Sequence, residues 1–174
     1  MPHPLKISAI SLISFSILGM TAHAEWKVGN LLPEGEEPNS EVDGLYLLAE
    51  NETGPSVMLG CSDRLGVQAK IYLDGMTQDA LAHEPVRNVK TRMVEIDTES
   101  TDPKKDVWAY LRTKGQLISV KPWQGKRIYN AAVKGENVGL EIRKIGTVSI
   151  AMPAINDDFK TFASTCDATV PKGA

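Results

Sequence analysis

Four groups of residues in this chain have types that could do chemistry. They are a histidine, His83; the acids Asp97, Glu99 and Asp102, with Asp157 and Asp158 further on; a basic run, Arg87, Lys90 and Arg92; and two cysteines, Cys61 and Cys166. The other two histidines, His3 and His23, lie in a stretch that reads as a removable leader. Metal sites built from several histidines are therefore excluded, and a Ser-His-Asp or Cys-His arrangement would depend on His83 alone. No Gly-x-Ser-x-Gly elbow, His-Glu-x-x-His pair or phosphate-binding glycine loop accompanies it. His83, beside Glu84, reads as a solvated side chain, and neither a metal nor a cofactor is expected.

Acid pairs are the remaining route to catalysis, because glycoside hydrolysis needs only two carboxyl groups held at a set separation. Asp97, Glu99 and Asp102 share one polar stretch, and Asp157 with Asp158 opens a later one. An envelope hydrolase using such a pair is one alternative. The preferred reading is a solvated loop in the first case and charges at the positive end of a helix in the second, so no catalytic residue is assigned.

The basic run is more suggestive. With the alternation of a strand, Lys90 and Arg92 share a face that Val94 and Ile96 continue, while Val89, Thr91 and Met93 take the other. A basic stripe near Trp108 or Trp123 suits an anionic or glycan ligand, since Arg and Trp are favoured binding anchors. Arg87, Lys90, Arg92, Trp108 and Trp123 are thus the candidate binding residues, and an envelope protein or glycan is the implied partner. The plainer alternative is a solvent-facing strand with ordinary buried tryptophans. Asn51-Glu52-Thr53 also fits the glycosylation acceptor pattern.

The compartment follows from the first residues. Lys6 is the one charge before an apolar and small-residue run of about 14 positions, and Ala22-His23-Ala24 closes it with small residues at the two sites a signal peptidase reads. Such a run is short of the roughly 20 residues needed to span a bilayer. Residues 1–24 are expected to be a signal peptide, with Glu25 first in the mature chain and no stable membrane insertion afterwards. Cleavage removes one Lys and no acid, so Lys+Arg falls from 19 to 18 against 22 Asp+Glu and the net charge moves from −3 to −4. A mildly acidic chain without a basic tract is a poor match for phosphate backbones, so nucleic acid is not an expected partner.

In the oxidising compartment beyond the membrane two cysteines are expected to pair. Cys61 and Cys166 are 105 positions apart, too far for a redox Cys-x-x-Cys unit and too few for zinc. A structural bond closing such a loop stabilises by roughly 4–5 kcal/mol as an upper figure.

The elements that must position these residues are short strands. Residues 44–49, 56–61, 67–73, 86–97, 106–112, 116–121, 138–143 and 147–152 are apolar or alternating runs punctuated by Gly, Pro, Asn and Asp. Residues 74–85 read as a loop or short helix, and residues 98–105 as a solvent loop. Ile128, Ala131 and Ala132 suggest a helix stopped by Gly135. Asn156 is placed as the N-cap of a closing helix that lines up Phe159, Phe162, Ala163 and Cys166 on one face. The expected map is a leader at 1–24, an irregular stretch at 25–43, one β-rich domain at 44–166 and a flexible tail at 167–174. The fold class is mainly β, an antiparallel sandwich or open barrel with one or two short helices, the last tied down by the disulfide.

This layout resembles the VasI/TagO-type accessory proteins of type VI secretion. The resemblance lies in a Cys closing an apolar strand with another strand after it (Val57-Met-Leu-Gly-Cys61 and Ala69-Lys-Ile-Tyr-Leu73). Arg92, Trp108 and the closing Phe159-Lys-Thr-Phe-Ala-Ser-Thr-Cys166 complete it. Residues 128–135 are more similar to other exported proteins of proteobacteria. The resemblance implies a periplasmic β-rich module with paired cysteines and a role in envelope assembly rather than catalysis. The expectation is a non-enzymatic periplasmic or secreted binding module, with a secretion accessory as its more specific form. A further alternative is an inhibitor or immunity-type protein acting through residues 98–105 as a protruding loop.

Overall fold

The computed structural model describes residues 24–31, 44–51, 54–61, 66–73 and 89–166. Strand β1 (Trp26–Asn30) is followed by β2 (Leu45–Ala49), β3 (Ser56–Gly60), β4 (Gln68–Tyr72), β5 (Val89–Thr98) and β6 (Thr101–Leu111). A 3-10 turn (Arg112–Lys114), β7 (Gln116–Ile118), helix α1 (Pro122–Lys134), β8 (Val138–Ile142), β9 (Gly146–Ile150) and helix α2 (Asp157–Thr165) complete the order. All strand pairings are antiparallel and form one sheet, β1-β2-β3-β4-β7-β6-β5-β8-β9. The mainly antiparallel fold with two helices is as the strand pattern predicted.

Alternation decides which face is filled. Leu47, Leu59, Ile71, Leu117, Tyr110, Ile96, Leu140 and Val148 are buried on one side, and they join both helices in a single apolar cluster. The sheet's edges are not paired to each other, yet Trp26 at one edge donates its indole N–H to Pro153 O just beyond the other, at 3.1 Å. The sheet therefore curls around one core as an open barrel.

The helices close that core. Gln124, Gly125, Ile128, Tyr129 and Ala132 form the buried side of α1, and Phe159, Phe162 and Ala163 that of α2. Phe159 stacks on Tyr129 with ring centres 5.4 Å apart and meets the edge of Trp26 at the same distance. Gly135, with φ 67°, ends α1 in the left-handed conformation as its position predicted. Asn156 caps α2 by accepting from Phe159 N, while its amide donates to Trp26 O at 2.8 Å. Cys61 and Cys166 are bonded, with Cα atoms 5.8 Å apart, so the end of α2 is fastened beside β3.

Two expectations about the chain's organisation change. Residues 25–43 were expected to be irregular, but Trp26–Asn30 is β1, because its ladder to Leu45–Ala49 and the burial of Trp26 outweigh its weak intrinsic strand signal. Residues 98–105 were expected to be a loop, but β5 turns tightly at Glu99 and Ser100 into β6, where Thr101 already faces Thr98. Pro103 is tolerated there because this part of β6 pairs on one side only, β7 joining it at Ala109–Leu111. The residues before Ala24 that read as a signal peptide, residues 74–85 with His83, Arg87, Glu52 with Thr53, and residues 167–174 lie outside the described residues.

Candidate functional site

The register of the long β5–β6 hairpin places Lys90 opposite Tyr110 and Arg92 opposite Trp108. All four are on the face that Val94 and Ile96 continue into the core, with Lys90 and Arg92 half-buried and the Arg92 guanidinium donating to Thr91 O at 3.4 Å. Val89 and Thr91 take the outer face, where Val89 is 59% exposed. Lys90 and Arg92 are half-buried, and Trp108 and Tyr110 are fully buried.

This face sets cations beside aromatic rings. The Arg92 guanidinium lies 5.5 Å from the centre of the Tyr110 ring, within cation–π range. Both Lys90 and Arg92 make further contacts of their own. Trp108 Nε1 and Tyr110 Oη are different, for each is buried and, among the described residues, neither has a hydrogen-bond partner. A buried donor left in that condition costs about 1–3 kcal/mol. Two on successive inward positions of one strand, beside two cations, make a site that an oxyanion or a sugar oxygen would complete.

Trp123 lies on α1 and not on the β5–β6 hairpin that carries the other four. It opens α1, half-buried, with the Lys104 ammonium 4.2 Å from its ring centre. Next to it Lys121 pairs with Asp106 at 2.7 Å. Hydrogen bonding from Lys121, assisted by Val107 N–H and the Trp123 side chain, holds the Asp106 carboxyl below its ordinary range. This cluster fastens α1 to β6, with Asp106 opposite Val94 and Lys104 opposite Ile96, further along the hairpin than Arg92 and Trp108. Gln124, 0% exposed, strengthens the same join. Its side-chain oxygen accepts from Val120 N and Lys121 N at 2.7 and 2.9 Å and its amide donates to Val107 O at 2.9 Å.

The acids are not gathered at a cleft. Asp97 is exposed on the outer face opposite Gly139, Glu99 sits in the hairpin turn, and Asp102 is exposed on β6. Asp157 pairs with Lys160, and Asp158 accepts from Val28 N, so both serve the start of α2. The hairpin tip is held down, Ser100 donating to Glu136 and Lys134 donating to Ser100, and offers no protruding loop. No group of three or more His, Cys, Asp or Glu side chains close enough for a metal ion occurs among the described residues. Nor is any helix among them long and apolar enough to cross a membrane. Asn51 is half-buried and donates its side-chain amide to Pro55 O within the β2–β3 turn.

Tyr110 and Gln124 were not among the candidates from sequence. Tyr110 carries a readable signal, since it lies two residues beyond Trp108 on the same face; a buried glutamine at a helix start carries none. Compared with known families, curated proteins and solved structures, the chain matches no family model, no curated protein and no solved structure.

Proposed function

We propose that this chain is a non-enzymatic binding module of the bacterial envelope, exported to the periplasm, that takes an anionic or acidic-sugar ligand on the inner face of the β5–β6 hairpin. The observation that carries this reading is the pairing of Lys90 and Arg92 with two buried aromatic residues whose polar hydrogens find no acceptor among the described residues. The cations supply long-range attraction, and Trp108 and Tyr110 supply donors in a poorly solvated place. Export is supported by the Ala22-His23-Ala24 site and by a disulfide of the kind found outside the reducing cytoplasm. Work beside a type VI secretion apparatus, as in the VasI/TagO-type proteins, is the more specific form of the same proposal.

Glucuronate, inorganic phosphate and neutral glucose are the probes that test it by calorimetry. Glucuronate or phosphate is expected to bind and glucose to bind less well. Arg92→Gln is expected to weaken the charged probe about tenfold or more, as losing a charge-assisted hydrogen bond of about 1.5–3 kcal/mol implies. Trp123→Ala should leave the affinity unchanged. Equal affinities for wild type and Arg92→Gln, or no binding of either anion at about 10 mM, would refute the reading.

A further inference from the structure

One residue of the β8–β9 turn holds a backbone shape that its side chain disfavours. Lys144 has φ 70°, in the left-handed region, and every other positive-φ residue among the described ones is a glycine. In that region a Cβ crowds the following carbonyl oxygen, so glycine, and after it asparagine, is the residue that fits with least strain. The turn itself is well formed. Ile145 N donates to Ile142 O at 3.0 Å, and Gly146, with φ 124°, suits the bend back into β9. Lysine at the left-handed position is therefore an exception to the chain's own usage, and an outlier of this kind points to a role for the side chain.

The neighbours of Lys144 indicate that role. The β5–β8 ladder runs from Thr98 opposite Val138 to Val94 opposite Ile142, and one step further Arg143 N donates to Met93 O at 3.0 Å. The next step of the same register brings the turn that holds Lys144 alongside Arg92. On its other side Arg92 is opposite Trp108, and Lys90 opposite Tyr110 makes the adjoining row. Lys144 is exposed, and its flexible four-carbon stem lets the ammonium reach toward that row. The nearest acids on these two strands, Glu95 and Glu141, are opposite one another on the other face, where Glu95 pairs with Lys105 at 3.2 Å. Lys144 makes a contact of its own within the chain, as Lys90 and Arg92 do, so an arriving anion would share these cations.

We propose that Lys144 is a third cationic contact of the anion site on the β5–β6 face, and that it tilts the site toward a doubly charged oxyanion of the phosphate class. The inference rests on the reading of that face as an anion site. Coulomb attraction grows with the charge on each partner, so a third cation favours a dianion over a singly charged carboxylate. The left-handed turn keeps the base of the lysine beside Arg92, where a relaxed glycine would leave no charge.

Calorimetry on the mature chain, residues 25–174, with inorganic phosphate and with glucuronate at about pH 8, where phosphate is mostly a dianion, tests it. At about 0.15 M salt the screening length is about 8 Å, so remote lysines contribute little. Lys144→Asn removes the charge and keeps a residue that tolerates the turn. It is expected to weaken phosphate about fivefold and glucuronate about twofold, with a melting temperature at or above that of wild type. Lys144→Arg should hold phosphate within about twofold of wild type, and Lys126→Asn, at an exposed position on α1, should bind as wild type does. Wild-type affinity for phosphate in Lys144→Asn, while Arg92→Gln binds more weakly, would overturn this inference and leave the anion site standing. So would binding of glucuronate alone, an equal loss for both anions, a loss matched by Lys126→Asn, a loss in Lys144→Arg as large as in Lys144→Asn, or a lower melting temperature for Lys144→Asn. A wild type that binds neither anion would overturn both readings.

Discussion

Replacing Gly125 by alanine should unfold the protein at a markedly lower temperature, although alanine is the better helix former. In α1 the exchange gains about 1 kcal/mol from helix propensity. Against that, a Cβ at this position would run into Val67 O and approach Val67 C at 2.8 Å and Gln68 Cα at 2.9 Å. Those atoms are backbone at the start of β4 and cannot swing aside as a side chain would. Overpacking of a filled core costs about 1–3 kcal/mol and occasionally more, and backbone obstruction belongs at the upper end. A net loss of about 2 kcal/mol or more is expected, which lowers the melting temperature by roughly 4–8 °C for a chain of this size. Gly139→Ala is the control, since its Cβ would lie 3.6 Å from Asp97 Cβ in ordinary contact. A thermal melt in which Gly125→Ala matches or exceeds wild type would show that α1 does not press on β4 in this way.

The second large effect concerns the bond between Cys61 and Cys166, whose removal leaves α2 held by packing and capping alone. The bond closes a loop of 105 positions. In the chain-entropy treatment a loop of that size contributes roughly 4–5 kcal/mol, and reduced disulfides commonly cost about 2–5 kcal/mol. Phe159 and Phe162 in the core, the Asn156 cap and the Val28 to Asp158 hydrogen bond all remain in the Cys61→Ala, Cys166→Ala double variant. That variant is expected to fold at 25 °C with a stability about 3–5 kcal/mol lower by urea denaturation. The same loss should follow reduction of the wild type. Protein taken from the envelope is expected to begin at Glu25 and weigh about 2 Da less than its reduced form. Unchanged stability on reduction would mean that the cysteines do not constrain the chain.

Where the fold was legible in sequence, local chemistry and tertiary context agreed. Asn156 before two aspartates, Gly135 after an apolar helical face, and the Lys144 to Gly146 turn each encode their conformation within a few residues. β1 was not legible because Trp26–Asn30 has no alternation of its own and becomes a strand only by pairing with β2. The start of β6 was hidden for the opposite reason. Pro103, Lys104 and Lys105 look like loop residues, and are stable in a strand because the hairpin supplies one ladder and leaves the other side open.

The candidate site divides along the same line. Period-two alternation put Lys90 and Arg92 on one face, and the hairpin register then set them against Tyr110 and Trp108. What the alternation could not say is which face is filled, because that depends on the curl of the whole sheet. Trp123 could not be separated from Trp108 by residue type. Its place in the first turn of α1 directs it to Lys104 instead. Gly125 and Gln124 were invisible for a related reason, since a glycine and a glutamine at a helix start look permissive until the strand beneath them is known.

The central claim is that Trp108 and Tyr110 hold donors ready for a ligand beside Arg92 and Lys90. The indole proton resonance of Trp108, followed by NMR as glucuronate or phosphate is added to the mature protein, tests it most directly. This resonance is expected to move in a saturable way, downfield as its proton gains an acceptor, while that of Trp123 stays in place. Saturation of the protein with either anion while the Trp108 resonance does not move would contradict it.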